Sequence, residues 1–237
     1  MKTIIHLAKD RFSADHGWLK ARHTFSFAGM YDPERIHFGA LRVLNDDIVT
    51  GGMGFGMHPH DNMEIITIPL QGSLKHKDSM GHEGVIKSGD VQVMSAGTGL
   101  MHSEHNAEAD AAINLLQIWV FPKVKGVQPR YDQKYFEESD RKNKWQYVVS
   151  PDGKEGSLWI HQDAWFAMTN LDPGHSLEYK LNKAHSGIYV FVIEGSITIN
   201  GLSLDKRDGA GLEGKEKYLI SANNDSKVLL MELPMKW

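Results

Sequence analysis

The stretch Gly52-Met53-Gly54-Phe55-Gly56-Met57-His58-Pro59-His60-Asp61-Asn62-Met63-Glu64 sets two histidines at i and i+2. On an extended strand such side chains leave the same face, with Cα atoms about 6.5–7 Å apart. A second stretch, Gly97-Thr98-Gly99-Leu100-Met101-His102-Ser103-Glu104-His105-Asn106, repeats the spacing with His102 and Glu104. The two pairs are expected to converge from two strands on one ion, offering three neutral imidazoles and one carboxylate. That donor set suits a divalent first-row metal, and four ligands on an ion that accepts six leave positions for water, substrate or O2. A lone His-x-His is more often two partly exposed side chains; the second pair, with its own glycine-rich approach, is what favours metal binding here.

Four other side chains near these stretches have ordinary readings. Glu64 is a ligand, a strand-end carboxylate or an acceptor for the far N–H of a ligand histidine; the last is preferred, because Glu104 already supplies the charge. His105 alternates off the His102/Glu104 face, and His76 and His82 lie in the polar stretch 75–83. All three are expected as solvated loop histidines.

Outward from the two stretches, short apolar runs at 38–44, 65–70, 91–94, 115–121, 188–193, 197–199 and 228–233 are punctuated by Gly, Asp, Asn and Ser. Their length and β-branched, aromatic content predict strands, and helical periodicity is scarce. An all-β sandwich or barrel follows. Composition shifts at 122–145, where prolines give way to the charged run Glu137-Glu138-Ser139-Asp140-Arg141-Lys142, so a connector is expected there. A weak repeat, Gln71-Gly72-Ser73-Leu74 against Glu194-Gly195-Ser196-Ile197, suggests two halves, divided as 1–130 and 131–237.

Composition excludes several classes. The chain of 237 residues has no Cys, so it holds no disulfide and no thiolate ligand or nucleophile, and any metal must rest on His and carboxylates. Lys and Arg total 26 against 30 Asp and Glu, a net charge of −4, which provides no basic footprint for nucleic acid or an anionic membrane. No stretch nears the roughly 18 apolar residues of a membrane span, and charge interrupts the start before a signal-peptide core forms; the expectation is a soluble cytoplasmic protein. There is no His-Glu-x-x-His, no Gly-x-Ser-x-Gly and no P-loop. Ten of the 13 histidines lie at or before His105 and none follows His185.

The paired stretches resemble the two motifs of the cupin superfamily. Gly52, His58, His60, Glu64 and Gly72 match the first, and Gly89, Gly97, His102 and Asn106 the second, with Ser95 in place of Pro and two extra residues before the histidine. Together with His23-Thr24-Phe25-Ser26-Phe27, Leu41-Arg42-Val43-Leu44-Asn45-Asp46-Asp47, Leu116-Gln117-Ile118-Trp119-Val120 and Pro129-Arg130-Tyr131, they resemble the pirin family over essentially the whole chain. The resemblance implies a bicupin, two packed antiparallel β-barrels of jelly-roll type, often with quercetin 2,3-dioxygenase activity. It implies His58, His60, His102 and Glu104 as metal ligands, with Glu104 also the proton acceptor in catalysis. Fe(II) is the preferred ion, with Mn, Co, Ni, Cu or Zn as alternatives. Aligning Gly72 with Gly195 sets Leu181 and Lys183 where His58 and His60 stand, so the second cupin is expected to lack a metal, and His161, His175 and His185 are ordinary residues.

The implied reaction opens the central ring of a flavonol with O2 and releases carbon monoxide. Met57, Met101, Phe25 and Phe27 are candidates for the apolar walls of its pocket. The rival reading is a metal- or redox-sensing regulator acting through a protein partner without turnover; a third is a cupin acting on another small enol. A monomer is expected.

Overall fold

β-Branched and aromatic runs separated by turn glycines form strands along nearly the whole of the computed structural model, which describes residues 2–237. A seven-stranded sheet runs in the order β12 (Arg130–Tyr135), β9 (Asp90–Ser95), β6 (Glu64–Gln71), β11 (Ile113–Val120), β4 (Leu41–Val49), β3 (Leu19–His23), β2 (Phe12–Asp15). Over one face lies a four-stranded sheet, β5 (Gly54–His60), β10 (Leu100–Asn106), β7 (Ser73–Asp78), β8 (Glu83–Lys87). The second unit repeats the plan. Its seven strands are β1 (Lys2–His6), β20 (Gly209–Glu213), β17 (Ser186–Glu194), β22 (Ser226–Pro234), β15 (Trp165–Leu171), β13 (Gln146–Ser150) and β14 (Leu158–Trp159). Its four are β16 (Ser176–Lys180), β21 (Lys217–Ala222), β18 (Ser196–Ile199) and β19 (Leu202–Asp205). The pairings are antiparallel apart from β13 with β14. The fold is the expected all-β, two-cupin arrangement. No helix among the described residues is long and apolar enough to cross a membrane.

The two large sheets pack face to face. Phe25, Phe38, Leu44, Ile66 and Ile118 of the first meet Phe166, Tyr189, Phe191, Leu229 and Met231 of the second in one core. Strand alternation divides the labour. On β11, Leu116, Ile118 and Val120 enter this central core, while Leu115 packs inside the first barrel with Leu19, Leu74 and Ile86. Gln117 and Trp119, on that same inner face, line a cavity.

Two pairings cross the expected cut at 130/131. β1 pairs with β20, covering an edge of the second sheet, and is held by His6 Nδ1 at 2.8 Å from the Tyr189 hydroxyl. β12 pairs with β9 from Arg130 to Tyr135, so the segment expected as a connector contains an edge strand of the first sheet. The charged run at 137–142 follows this strand, and Arg130, at its start, stacks over the Trp159 ring at 3.9 Å. The division into two units is therefore a proposal in which residues 2–6 join the second sheet and the first runs through Tyr135.

Candidate metal centre

β5 and β10 lie side by side with His58 opposite His102. The register then slips between His102 and Glu104, a bulge that re-aims the side chains on either side of it. Gly54 permits the close approach of the two strands at this point: a Cβ there would stand 2.2 Å from the Glu104 carbonyl oxygen. On the other flank of β10, β7 sets Asp78 opposite His102 and His76 opposite Glu104.

The three imidazoles converge. Ring centroids are 4.3 Å apart for His58–His102, 4.9 Å for His58–His60 and 4.8 Å for His60–His102, and their ligand nitrogens lie within 4.8 Å of one another. His58 Nδ1 sits 2.8 Å from the Gly56 carbonyl, an arrangement in which Nδ1–H donates and Nε2 keeps its lone pair. His102 is fully buried, and neither of its ring nitrogens has a partner among the described residues. Burial, with His58 and His60 beside it, lowers its pKa to about 2; burial lowers that of His60 to about 4. Both are therefore neutral imidazoles at physiological pH. A buried polar atom without a partner is costly, and a cation among these nitrogens removes that cost.

Glu104 is the carboxylate grouped with His102. It accepts a hydrogen bond from Gln117 Nε2 at 2.8 Å, and the Thr67 hydroxyl lies 3.4 Å from its other oxygen. Burial nevertheless lifts its carboxyl to about 7. Half-buried and buried imidazoles beside this carboxylate, with the His102 nitrogens unpaired among the described residues, fit a divalent metal ion.

His76, expected in a solvated loop, is instead fully buried on β7, and with His102 and Glu104 it forms a second group whose ligand atoms lie within 4.8 Å of one another. The cause is strand alternation: Leu74, His76 and Asp78 point inward from a segment whose lysines point out. Asp78 lies 3.6 Å from His76 Nε2 and 2.9 Å from His82 Nδ1, while His82 and His105 are exposed. Glu64 is also corrected. It is buried on the opposite face of its sheet, accepting from the Ser95 hydroxyl at 2.7 Å and making no hydrogen bond to the three histidines. The residue of β6 that points toward the site is Thr67, an odd number of positions away.

A cavity of about 1300 Å³ opens beside the cluster. Phe27 and Met101 line it as expected, together with Trp119, which packs edge-on to His60 at 4.9 Å. Met57 and Phe25 do not: Met57 points outward and Phe25 sits in the core between the units. Thr67 and Gln117, which face Glu104, are the residues that reading the sequence passed over. Their signal was a polar residue breaking an apolar run, as in Ile65-Ile66-Thr67-Ile68 and Leu115-Leu116-Gln117-Ile118.

Comparison with known proteins agrees with this architecture. Residues 6–120 match the Pirin family, and residues 147–233 match the quercetinase C-terminal cupin domain. A quercetin 2,3-dioxygenase of Escherichia coli K12 is 42% identical over 231 residues, covering 96% of each chain. The chain belongs to the pirin family. A pirin-like protein of Caulobacter vibrioides is 41% identical over 220 residues, covering 92% of this chain and 94% of its own. Among solved structures, a bacterial pirin from Escherichia coli in complex with nickel(II) superposes with a TM-score of 0.93 at 40% identity, covering 98% of this chain and 99% of the other. A divalent metal site in this pirin accords both with that complex and with the His/Glu cluster.

Proposed function

We propose that this pirin is a metal-dependent dioxygenase that opens the central ring of flavonols such as quercetin, consuming O2 and releasing carbon monoxide. The observation that carries the reading is a buried carboxylate, Glu104, grouped with His102, which converges with His58 and His60 beside a cavity large enough for a three-ring substrate. His58, His60, His102 and Glu104 would hold the ion, with Fe(II) preferred and nickel and the other first-row ions compatible. A divalent ion in that place supplies Lewis acidity that favours ionisation of an enolic hydroxyl.

The chain's own residues do the rest. Glu104, lifted by burial to about 7, accepts the hydroxyl proton near neutral pH, and Gln117 holds its carboxylate in place for that task. The aromatic wall of Trp119 and Phe27, 5.3 Å apart edge to face, excludes water and presents apolar surface to a planar ring.

The test is to load the protein with Fe(II), Ni(II) or Mn(II) and supply quercetin in air. Loss of the flavonol absorbance with stoichiometric carbon monoxide is expected. Absence of turnover with every metal would overturn the reading in favour of a regulator acting through a protein partner. For the ligand set, His58→Ala and Glu104→Ala should each lose stoichiometric metal; full occupancy in both would show other ligands.

A further inference from the structure

A second cavity, of about 270 Å³, lies between the two large sheets at the edge of their shared core. Its floor is apolar and comes from both units: Ile68 and Val91 of the first, Met168 and Ile193 of the second, all members of the central core. Its rim includes the short turn Glu138–Arg141, which follows β12 and carries the chain from one unit to the other.

Arg141 lines this cavity and is 8% exposed. It makes no ion pair among the described residues, and the one hydrogen bond of its guanidinium runs from Nη1 to the Met168 sulfur at 3.6 Å. Nε is unpartnered and cut off from water; Nη2 is without a partner too but is not among the atoms cut off, so it is the nitrogen that meets the cavity. Arg11, the other arginine buried this deeply, has Asp46 at 3.5 Å. A guanidinium stays charged at neutral pH, and a buried charge without a counter-ion is costly.

The carboxylates of the lining are engaged elsewhere. Glu138 takes the Lys227 ammonium and the Asn170 amide, Glu194 takes Lys206 and Arg207, and Asp90 accepts from the Lys87 backbone N–H and the Gln133 amide. Arg207 also pairs with Asp46 at 2.9 Å. Among the described residues, Arg141 is the lining cation left without a carboxylate. With Arg141, Arg207 and Lys227 set against Asp90, Glu138 and Glu194, the walls as a whole are neutral, which admits one negative charge beside Arg141 and opposes two.

We propose that this cavity binds a small monocarboxylate, its carboxylate on the Arg141 guanidinium and its apolar body on the floor shared by the two units, so that occupancy clamps one unit to the other. A guanidinium matches a carboxylate in geometry as well as charge. The volume suffices for a body of one benzene ring, which a cavity of roughly 150 Å³ already holds. The site is separate from the metal centre and stands whether or not the dioxygenase reading does.

The test is calorimetric titration of the metal-loaded protein with benzoate, benzamide and phosphate. Saturable benzoate binding is expected, with benzamide and phosphate at least about tenfold weaker. A hundredfold excess of benzoate over its Kd should raise Tm by about 5 °C. Arg141→Met should abolish benzoate binding without lowering Tm or metal content, since an apolar side chain replaces an unpaired buried charge. Arg141→Lys, which keeps the charge and loses the planar fork, should bind about tenfold more weakly, and it decides the question if Arg141→Met fails to fold. No saturation by about 10 mM benzoate overturns the site, as does equal or tighter binding of benzamide or phosphate. Benzoate affinity that the variants retain in full also overturns it, by placing the ligand elsewhere, the metal centre included.

Discussion

Glu104 is a carboxylate held almost without water, 3% exposed, and its state depends on two neutral neighbours, Gln117 and Thr67. Gln117→Leu removes the 2.8 Å hydrogen bond and leaves the fold's apolar contacts in place. Metal affinity should fall about 10–100-fold in a chelator competition, with unchanged circular dichroism. The pH dependence of the metal-free protein follows from four groups. His60 and His102, lowered from 6.5 to about 4 and about 2, stay neutral in the fold while the unfolded chain takes up protons below 6.5. Their contribution therefore makes stability rise with pH up to about 6.5 and stay level above it. Glu104, raised from 4.5 to about 7, and Asp47, raised from 3.8 to about 8, bind protons in the fold that the unfolded chain has already lost. Their contribution falls as pH rises, and above 6.5 the histidines no longer offset it. The Tm of chelated protein should drop between pH 6.5 and 8 by about 4–8 °C, on the order of 2 kcal/mol. Metal-loaded protein, with its carboxylate paired, should show a smaller drop in the same calorimetric series, and a flat chelated profile would refute the assignment.

β10 is the element that makes the site, because its bulge lets His102 and Glu104 serve one cluster from a strand that also pairs with β5 and β7. The bulge depends on Gly54. A methyl group there meets the Glu104 carbonyl at 2.2 Å and His105 Cα at 2.4 Å, backbone atoms that cannot swing aside. Gly54→Ala should cost about 1–3 kcal/mol in denaturant unfolding and should weaken metal binding in the same protein. Unchanged affinity would mean the register is set elsewhere. β7 shows how much of an element is legible in its sequence. Lys75-His76-Lys77-Asp78 looks polar throughout, yet every second residue is inward and fully or nearly fully buried. Alternation was visible there; that two of the inward residues would be a histidine and its carboxylate was not, because a polar residue on an inner face is explained only by what faces it.

At the scale of the whole molecule, the two units share one core, so neither large sheet has an independent inner face. Phe191, fully buried between the sheets, carries Arg11 over its ring at 5.3 Å. Phe191→Ala should cost about 3–5 kcal/mol, and unfolding should stay a single calorimetric transition while metal affinity holds. Two separated transitions would show that the units fold independently. The sequence by itself determined that the chain is all-β, that no thiolate takes part, and that His58 with His60 and His102 with Glu104 form two same-face pairs. All of these rest on composition or on the period of two along a single strand. Only the tertiary structure decided that Glu64 faces away from the cluster, that His76 joins it, and that β1 completes the second sheet. Those facts depend on which distant strand closes over a face and in which register, and a one-residue change in register would exchange the two faces of a strand.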